Sequence, residues 1–208
     1  MAWYKTGSDG LKDDIAKSQK ARDGVKRLWL PPGGSKTIVF CDDTAFRFWE
    51  HNLKLDGSWR NWYVCLKKNL GEDCALCDNG SFNPYFVGFY TIIDKTGYTD
   101  RGGVAHKNEK LLFPAKALIL EKMARHSEKR GGLTGCVFEV TRGTGKKSNS
   151  VGDDFDFQEK IDLVKDLPGI DTTPFKYDEI FKPETNALLG SLIEKSKENA
   201  EEAESVPY

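Results

Sequence analysis

The chain has 208 residues, of which 30% are charged and 38% hydrophobic, a composition typical of a soluble globular protein. It contains no apolar run of the roughly eighteen residues that a membrane span requires, and its N-terminus lacks the apolar core of a secretory signal. Five cysteines in such a chain favour a metal site in a reducing compartment over disulfides, so we expect a cytoplasmic protein.

The net charge of −1 hides an asymmetry along the chain. Residues 153–208 contain 15 acidic and 6 basic residues, a net charge of −9, which leaves +8 on residues 1–152. A basic body with an acidic end indicates a polyanionic partner and a tail that competes for the same surface. An acidic tail also maintains solubility, and the two interpretations are compatible.

Residues 1–28 are polar and basic, which predicts a weakly anchored helix or arm. Short runs of β-branched and aromatic residues follow, separated by turns rich in Gly and Asp. The predicted strands are Thr37–Cys41, Phe46–His51, Trp59–Leu66, Tyr85–Asp94, Lys110–Phe113 and Gly135–Arg142, with one more around Phe155 and Phe157. Two helices are predicted, at Ala115–Arg130 and Glu184–Lys197.

One stretch of the chain has the spacing of a metal site. It reads His51-x13-Cys65-x8-Cys74-x2-Cys77, four borderline or soft ligands within 27 residues. A C-x2-C pair in a tight turn directs two thiolates to one side, and a further Cys and His complete a tetrahedral shell for structural zinc. The alternative is that these cysteines are buried apolar residues or a redox pair.

The sequence offers more than one candidate for the fourth ligand of this motif. Cys41 and His106 are possible substitutes for His51. Cys136 lies on the same strand face as two apolar residues, so we expect it in the core and not at the metal.

This order of elements predicts a mainly β fold, an OB-type Greek-key barrel with an inserted zinc-binding loop and one or two peripheral helices. The predicted barrel spans residues 29–182, with the zinc loop at residues 51–80. Residues 1–28 form the basic arm, and residues 183–208 form a helix and an acidic C-terminal tail.

Aromatic and basic residues are interleaved along the predicted strands. Bases of single-stranded nucleic acid stack on aromatic rings, at about 1–3 kcal/mol each, while basic side chains hold the phosphates. We expect Trp49, Trp59, Tyr63 and Tyr90 at the surface, although a place in the core is the alternative for each. The candidate nucleic-acid-binding residues are Arg47, Trp49, Trp59, Arg60, Tyr63, Lys67, Lys68, Tyr90, Tyr98, Arg101, Lys107, Arg142, Lys146 and Lys147.

Enzymatic interpretations have little support in the sequence. Asp153, Asp154 and Asp156 could bind Mg²⁺ in a nuclease, but an acidic turn of this kind is more typical of solvated charge. The chain has neither a P-loop nor a nucleophile elbow, and four protein ligands would leave a zinc ion no open position for chemistry. We therefore expect no catalytic activity.

These features, in this order, resemble the T4-type phage single-stranded DNA-binding proteins, also called helix-destabilising proteins. The resemblance rests on the basic arm from Lys5-Thr6 onward, the His-Cys-Cys-x-x-Cys zinc loop, the aromatic residues on neighbouring strands and the acidic tail. It implies one structural zinc ion on the four residues that match the loop, namely His51, Cys65, Cys74 and Cys77.

The resemblance also implies roles for the two ends of the chain. The arm, from Lys5 to Arg27, would mediate self-association along DNA. The tail, from Glu198 to Tyr208, would bind replication or recombination proteins in the cytoplasm of an infected host cell. The residues expected to contact those partners are Glu201, Glu202, Glu204 and Tyr208.

Two functions from different classes are thus predicted. The first is a sequence-independent protein that coats single-stranded DNA in phage DNA replication, recombination and repair. The second is a zinc-ribbon protein-interaction module of a replication or transcription complex, without a DNA groove of its own.

Overall fold

The computed structural model describes residues 25–55, 58–99, 103, 105–145 and 148–194. The predicted arm up to residue 24 and the predicted tail from residue 195 lie outside the described residues, as do Arg101, Lys146 and Lys147. For Trp59, Arg60 and Tyr98 the structure describes the main chain.

Strands make up most of the regular structure. They are β1 (Ser35–Phe40), β2 (Phe46–Leu55), β3 (Ser58–Val64), β4 (Tyr85–Asp94), β5 (Tyr98–Thr99), β6 (Ala105–His106), β7 (Glu109–Ala115), β8 (Cys136–Thr141) and β9 (Asp154–Lys160). The helical segments are α1 (Leu66–Leu70), α2 (Ala75–Asp78), α3 (Ala117–Arg130), α4 (Leu163–Asp166), α5 (Tyr177–Ile180) and α6 (residues 186–194). Across the described parts of the chain, no helix combines the length and the apolar character needed to cross a membrane.

Seven strands form one antiparallel sheet in the order β3-β2-β4-β1-β8-β9, and β7 also pairs with β4. β5 and β6 form a separate small hairpin. Within the described residues, β3, β7 and β9 each pair with one strand only, so the sheet stays open. The prediction of a mainly β fold is confirmed.

β4 is the strand around which the sheet is built. On one edge Val39 of β1 lies opposite Ile93, and on the other edge Leu112 of β7 lies opposite Thr91. A strand paired on both edges and covered on both faces needs apolar residues throughout, and this requirement explains why the continuous apolar run predicted its bounds correctly.

The described chain divides into two compact units. We call residues 25–47 and 87–176 the sheet unit, and residues 48–86 and 177–194 the Cys/His unit. The strands β2 and β4 each contribute residues to both. The Cys/His unit therefore joins the predicted zinc loop to a segment that lies a hundred residues further along the chain.

The sheet unit has an aromatic core. The ring of Phe40 lies edge-on to the rings of Tyr90, Phe113 and Phe138, with centroid distances of 5.4, 5.3 and 5.7 Å. Edge-to-face pairs of this kind are worth about 0.5–1.5 kcal/mol each beyond the area that they bury. Cys136 lies fully buried in the same core, which confirms its predicted place.

Gly88 allows helix α3 to pack closely on β4. A Cβ atom at this position would lie 2.7 Å from Leu120 Cδ2 and 2.9 Å from Ala45 Cβ. Both distances are shorter than van der Waals contact, so a larger residue would push the helix away from the strand. Close packing of α3 is thus the reason for a glycine at this position.

We predict that Gly88→Ala lowers the free energy of unfolding by about 1–3 kcal/mol, because overpacking a dense core forces neighbouring side chains out of place. Urea denaturation followed by circular dichroism measures this loss. Gly145→Ala is the matched control, because a Cβ atom there meets no atom within 4 Å. Equal stability of the two variants would contradict the packing role of Gly88.

Candidate metal centre

Four side chains from three elements converge in the Cys/His unit. His51 comes from β2, Cys65 follows β3 at the start of α1, and Cys74 and Cys77 flank the first turn of α2. One ligand atom from each residue lies within 4.8 Å of the other three. His51, Cys65 and Cys74 are buried, and Cys77 is half-buried.

The distances between these atoms fit a single small ion. Sγ of Cys65 and Sγ of Cys77 are 3.4 Å apart, and Nε2 of His51 lies 3.5 Å from Sγ of Cys74 and 3.7 Å from Sγ of Cys77. A tetrahedral ion with bonds of about 2.3 Å to sulfur and 2.0–2.1 Å to nitrogen separates its ligands by about 3.5–3.8 Å. The four residues are therefore close enough to hold a metal ion. The sulfur atoms of a disulfide lie about 2.05 Å apart, so these cysteines are not oxidised in pairs.

The imidazole of His51 is oriented for metal binding. Its Nδ1 lies 2.5 Å from the carbonyl oxygen of Phe82, which can only accept, so Nδ1 carries the proton and donates it. Nε2 then presents its lone pair toward the sulfur atoms. A hydrogen bond from the second ring nitrogen is the usual device that fixes the tautomer of a metal-binding histidine.

The cysteines of the cluster are positioned by the first turns of two short helices. Cys65 is the N-cap of α1, and its sulfur accepts the main-chain N–H of Lys68 at 3.4 Å. Gly71, with φ of 73°, ends this short helix. Cys74 is the N-cap of α2 and Cys77 lies three residues on, a spacing that puts both sulfurs on one side of a helical turn.

The predicted third strand ran to Leu66, and this boundary is wrong. β3 ends at Val64, because Cys65 leaves the strand to cap α1. Neither α1 nor α2 was predicted, since helices of five and four residues have no hydrophobic periodicity to detect. The glycine at position 71 after Lys67 and Lys68 was the available signal for the end of α1.

Burial sets the protonation of the cluster. It lowers the pKa of His51, so that the imidazole is neutral and suited to bind a metal at neutral pH. Burial beside the sulfur atoms of Cys65 and Cys74 raises the pKa of Cys77 to about 12. Sulfur atoms packed this closely ionise together only when a cation compensates them, and metal binding accordingly releases protons.

The two alternative ligands lie elsewhere. Cys41 is buried in a separate core cluster of the sheet unit with Val39 and Ile93, where burial raises the pKa of its thiol to about 12. His106 pairs with Tyr98 in the β5–β6 hairpin. The one Cys/His cluster found among the described residues contains neither of them and takes His51 as its fourth member.

Helix α6 packs against this centre. The side chain of Asn186 accepts the main-chain N–H of Ala75, at 2.6 Å, beside the first residue of α2. Leu189, Leu192 and Ile193 are buried in the same core cluster as the cysteines at positions 65 and 74. Sequence reasoning placed this helix with the acidic tail and missed its contact with the zinc loop, although its apolar residues at i, i+3 and i+4 indicate a buried face.

Trp49 is a candidate nucleic-acid-binding residue that packs against the core cluster of this centre. Its ring is half-buried, with the ammonium of Lys68 5.5 Å from the ring centroid and the ring of Phe86 at 5.6 Å. The remaining candidates with described side chains differ in exposure. Arg47, Lys67, Lys68 and Lys107 are exposed, and Arg142 is half-buried.

Asn69 ties Trp49 to the cluster, and sequence reasoning did not identify it. The side-chain oxygen of Asn69 accepts the main-chain N–H of Trp49 at 2.9 Å, and its amide donates to the carbonyl oxygens of Trp49 at 2.8 Å and Cys65 at 2.7 Å. One side chain thus joins strand β2 to the residue that caps α1. A lone asparagine in a five-residue helix carries no sequence signal for such a role.

The expectation that Tyr63 and Tyr90 lie at the surface is wrong. Their exposed fractions are 4% and 5%. Tyr63 lies directly opposite His51 in the β2–β3 pairing, so it shares the buried face of the metal ligand. Tyr90 packs edge-on against Phe40, and burial with the nearby Asp42 carboxylate raises the pKa of its hydroxyl to about 12.

The acidic turn before β9 has a structural role. The carboxylate of Asp153 accepts main-chain N–H groups of Gly143 and Asn149, both at 2.9 Å, and so closes the β8–β9 loop. Asp154 accepts the N–H of Phe155. Among the described residues, these carboxylates are not part of a metal-binding cluster.

Comparisons with protein-family models, with curated proteins and with solved structures found no match to this chain. The resemblance to T4-type single-stranded DNA-binding proteins therefore stays a prediction, and so do the DNA, the protein partners and the lack of catalytic activity.

We predict that the purified protein binds one metal ion per chain and that Cys74→Ser and Cys77→Ser each abolish stoichiometric binding, because a hydroxyl is a poor ligand for a borderline-soft ion. Elemental analysis after gel filtration measures the metal content. Cys41→Ala is the matched control, because this buried cysteine lies outside the cluster. Loss of metal from the control as well would contradict the assigned ligand set.

We predict that a chelator speeds amide hydrogen exchange in residues 186–194 by about tenfold or more, because α6 packs on a core that includes two of the ligands. Hydrogen-exchange mass spectrometry measures this effect. The β1–β8 pairing of the sheet unit serves as the internal control and keeps its protection. Unchanged exchange in residues 186–194 would show that the helix docks independently of the metal.

Proposed function

We propose that this protein binds single-stranded DNA without sequence preference, on an open sheet of the OB type in which a structural zinc ion supports part of the binding surface. The observation that carries the proposal is the Trp49–Lys68 pair, a half-exposed indole with a cation beside it. A base stacks on such a ring while the ammonium meets the adjacent phosphate.

The position of this pair supports the proposal. Lys68 lies in α1, the helix that Cys65 caps, and Asn69 links the main chain of Trp49 to the same turn. The metal ligand and the cation thus lie on one short helix, and the side chain of Asn69 connects this helix to the main chain of Trp49. A stacking ring that is already fixed in place loses little conformational entropy when DNA binds, and preorganisation of this kind increases affinity.

Charge also supports a polyanionic ligand. Exposed basic residues occur in both units, and residues 1–152 carry a net charge of +8. In the Cys/His unit these are Lys67 and Lys68 on α1. In the sheet unit Arg47 and Lys107 are exposed, and Arg142 is half-buried. Tyr63 and Tyr90 are left out of the proposed stacking surface because they are buried.

Zinc is the ion that the donor set favours. Three sulfur atoms and one imidazole nitrogen in tetrahedral spacing are typical of structural zinc sites. When bound, the ion would cross-link β2, α1 and α2. It would not take part in catalysis, since the four protein ligands fill its coordination shell. We accordingly propose a binding protein and not an enzyme.

The resemblance to the T4-type single-stranded DNA-binding proteins supports a biological setting for this function. We propose that the protein coats single-stranded DNA in the cytoplasm of a phage-infected cell during replication, recombination and repair. The basic arm, residues 1–28, would support self-association along DNA. The acidic tail, which follows α6 in the sequence, would bind replication or recombination proteins through Glu201, Glu202, Glu204 and Tyr208.

We predict that Trp49→Ala weakens binding to an oligo-dT by about 5- to 100-fold, the range expected for loss of one stacked base, whereas Trp49→Phe retains most of the affinity. Lys68→Ala should reduce the slope of log binding constant against log salt concentration by about one, because one phosphate contact is lost. Fluorescence anisotropy across a salt series measures both effects. Val164→Ala is the control, because this apolar residue is exposed and lies in the sheet unit.

Two results would contradict the proposal. Equal affinity for duplex and single strand would remove the single-strand preference. Absence of DNA binding, together with metal-dependent capture of a protein partner, would favour the interaction module without a DNA groove.

A further inference from the structure

Trp29 is an exposed aromatic residue in the sheet unit and was not among the sequence candidates. Its side chain is 58% exposed, while Leu28 and Leu30 on either side are buried. The N–H of Leu28 donates to the carbonyl of Leu112 at 2.7 Å, and the N–H of Leu30 donates to the carbonyl of Ser150 at 2.8 Å. These bonds hold the segment so that the two leucines face the core and the indole faces solvent.

A guanidinium group is fixed beside this indole. The central carbon of the Arg142 guanidinium lies 6.0 Å from the centroid of the Trp29 ring. Nη1 of Arg142 donates to the carbonyl of Leu30 at 2.7 Å, and Nε donates to Oγ of Ser148 at 3.1 Å. Because a guanidinium has five N–H groups, this geometry positions Arg142 and leaves it further donor capacity.

The two loops that carry these side chains are locked together. The N–H of Gly33 donates to the carbonyl of Arg142 at 3.0 Å, and the N–H of Arg142 donates to the carbonyl of Gly34 at 2.9 Å. Gly33 has φ of +76°, and a Cβ there would lie 3.3 Å from Thr144 Cγ2, so the close approach of the loops favours glycine. The ring and the cation are thus held in place before any ligand arrives.

The ring of Trp29 and the guanidinium of Arg142 together favour one class of ligand. A flat apolar ring presented to water favours a ligand with a π-face, and the adjacent cation favours one that is also anionic. The one carboxylate placed in the β8–β9 loop, that of Asp153, is engaged by the N–H groups of Gly143 and Asn149. A nucleotide combines both properties of the favoured ligand.

We propose that Trp29 and Arg142 form a second base-stacking site for single-stranded DNA, in which a nucleobase stacks on the indole and a neighbouring phosphate meets the guanidinium. This inference rests on the proposed function and adds a contact point to it. It assigns the site to the sheet unit, separately from the Trp49–Lys68 pair of the Cys/His unit.

Affinity measurements on full-length variants test the site. Trp29→Ala should weaken binding to oligo-dT by about 5- to 100-fold, and Trp29→Phe should restore most of the loss because phenylalanine keeps a π-face. Leu118→Ala is the matched control, because Leu118 is an apolar residue of the same unit with 69% exposure. Circular dichroism and metal content should be the same in all three variants, since the Trp29 ring makes little contact with the core.

Photo-crosslinking gives an independent readout on the unmodified protein. An oligonucleotide with 5-iododeoxyuridine should form an adduct on the tryptic peptide 28–36, in which Trp29 is the only aromatic residue. Adducts confined to other peptides would overturn the inference.

The outcomes separate this inference from the proposed function. If the wild-type protein binds no single-stranded DNA, both are wrong. If it binds and Trp29→Ala binds equally well, only the Trp29 site is wrong. If Trp29→Ala changes self-association and leaves oligonucleotide affinity intact, Trp29 contacts a second copy of the chain and the inference is overturned.

Discussion

Three sulfur atoms and an imidazole lie within 4.8 Å of one another, close enough to hold a metal ion. Structural zinc in small domains contributes about 10–16 kcal/mol of apparent binding free energy at neutral pH, as much as the whole stability of a typical domain. Burial of the three apolar side chains of α6 adds about 1.5–3 kcal/mol each before entropy costs. A bound ion of this kind would contribute more free energy than the docking of α6, and we expect the Cys/His unit, including α6, to fold around it.

The same constraint connects folding to function. Cys65 is at once a ligand and the cap of α1, and Asn69 in that helix bonds to the main chain of Trp49. Metal loss would therefore release the Trp49–Lys68 pair as well as the ligands. The Trp29–Arg142 pair of the sheet unit is positioned by main-chain hydrogen bonds instead, so its geometry does not depend on the metal.

The features that were predicted correctly are those that a local sequence pattern determines. The continuous apolar run of β4 marked the bounds of that strand, and the spacing of His51, Cys65, Cys74 and Cys77 indicated the cluster. Prediction failed where partners distant in the chain decide the outcome. Tyr63 is buried because it lies opposite a metal ligand, and α6 joins the zinc loop from more than a hundred residues away. Trp29 was missed because its exposure depends on hydrogen bonds from its two neighbours to Leu112 and Ser150, which are remote in the sequence.

The proposed function requires a metal-supported surface that binds single-stranded DNA. Titration of one oligo-dT against metal-loaded and metal-stripped protein, by fluorescence anisotropy at fixed salt, tests this requirement. We expect tight binding by the loaded protein, a loss of about tenfold or more on stripping, and recovery when zinc is restored. Equal affinity of the loaded and stripped forms, or no binding by either, would contradict it.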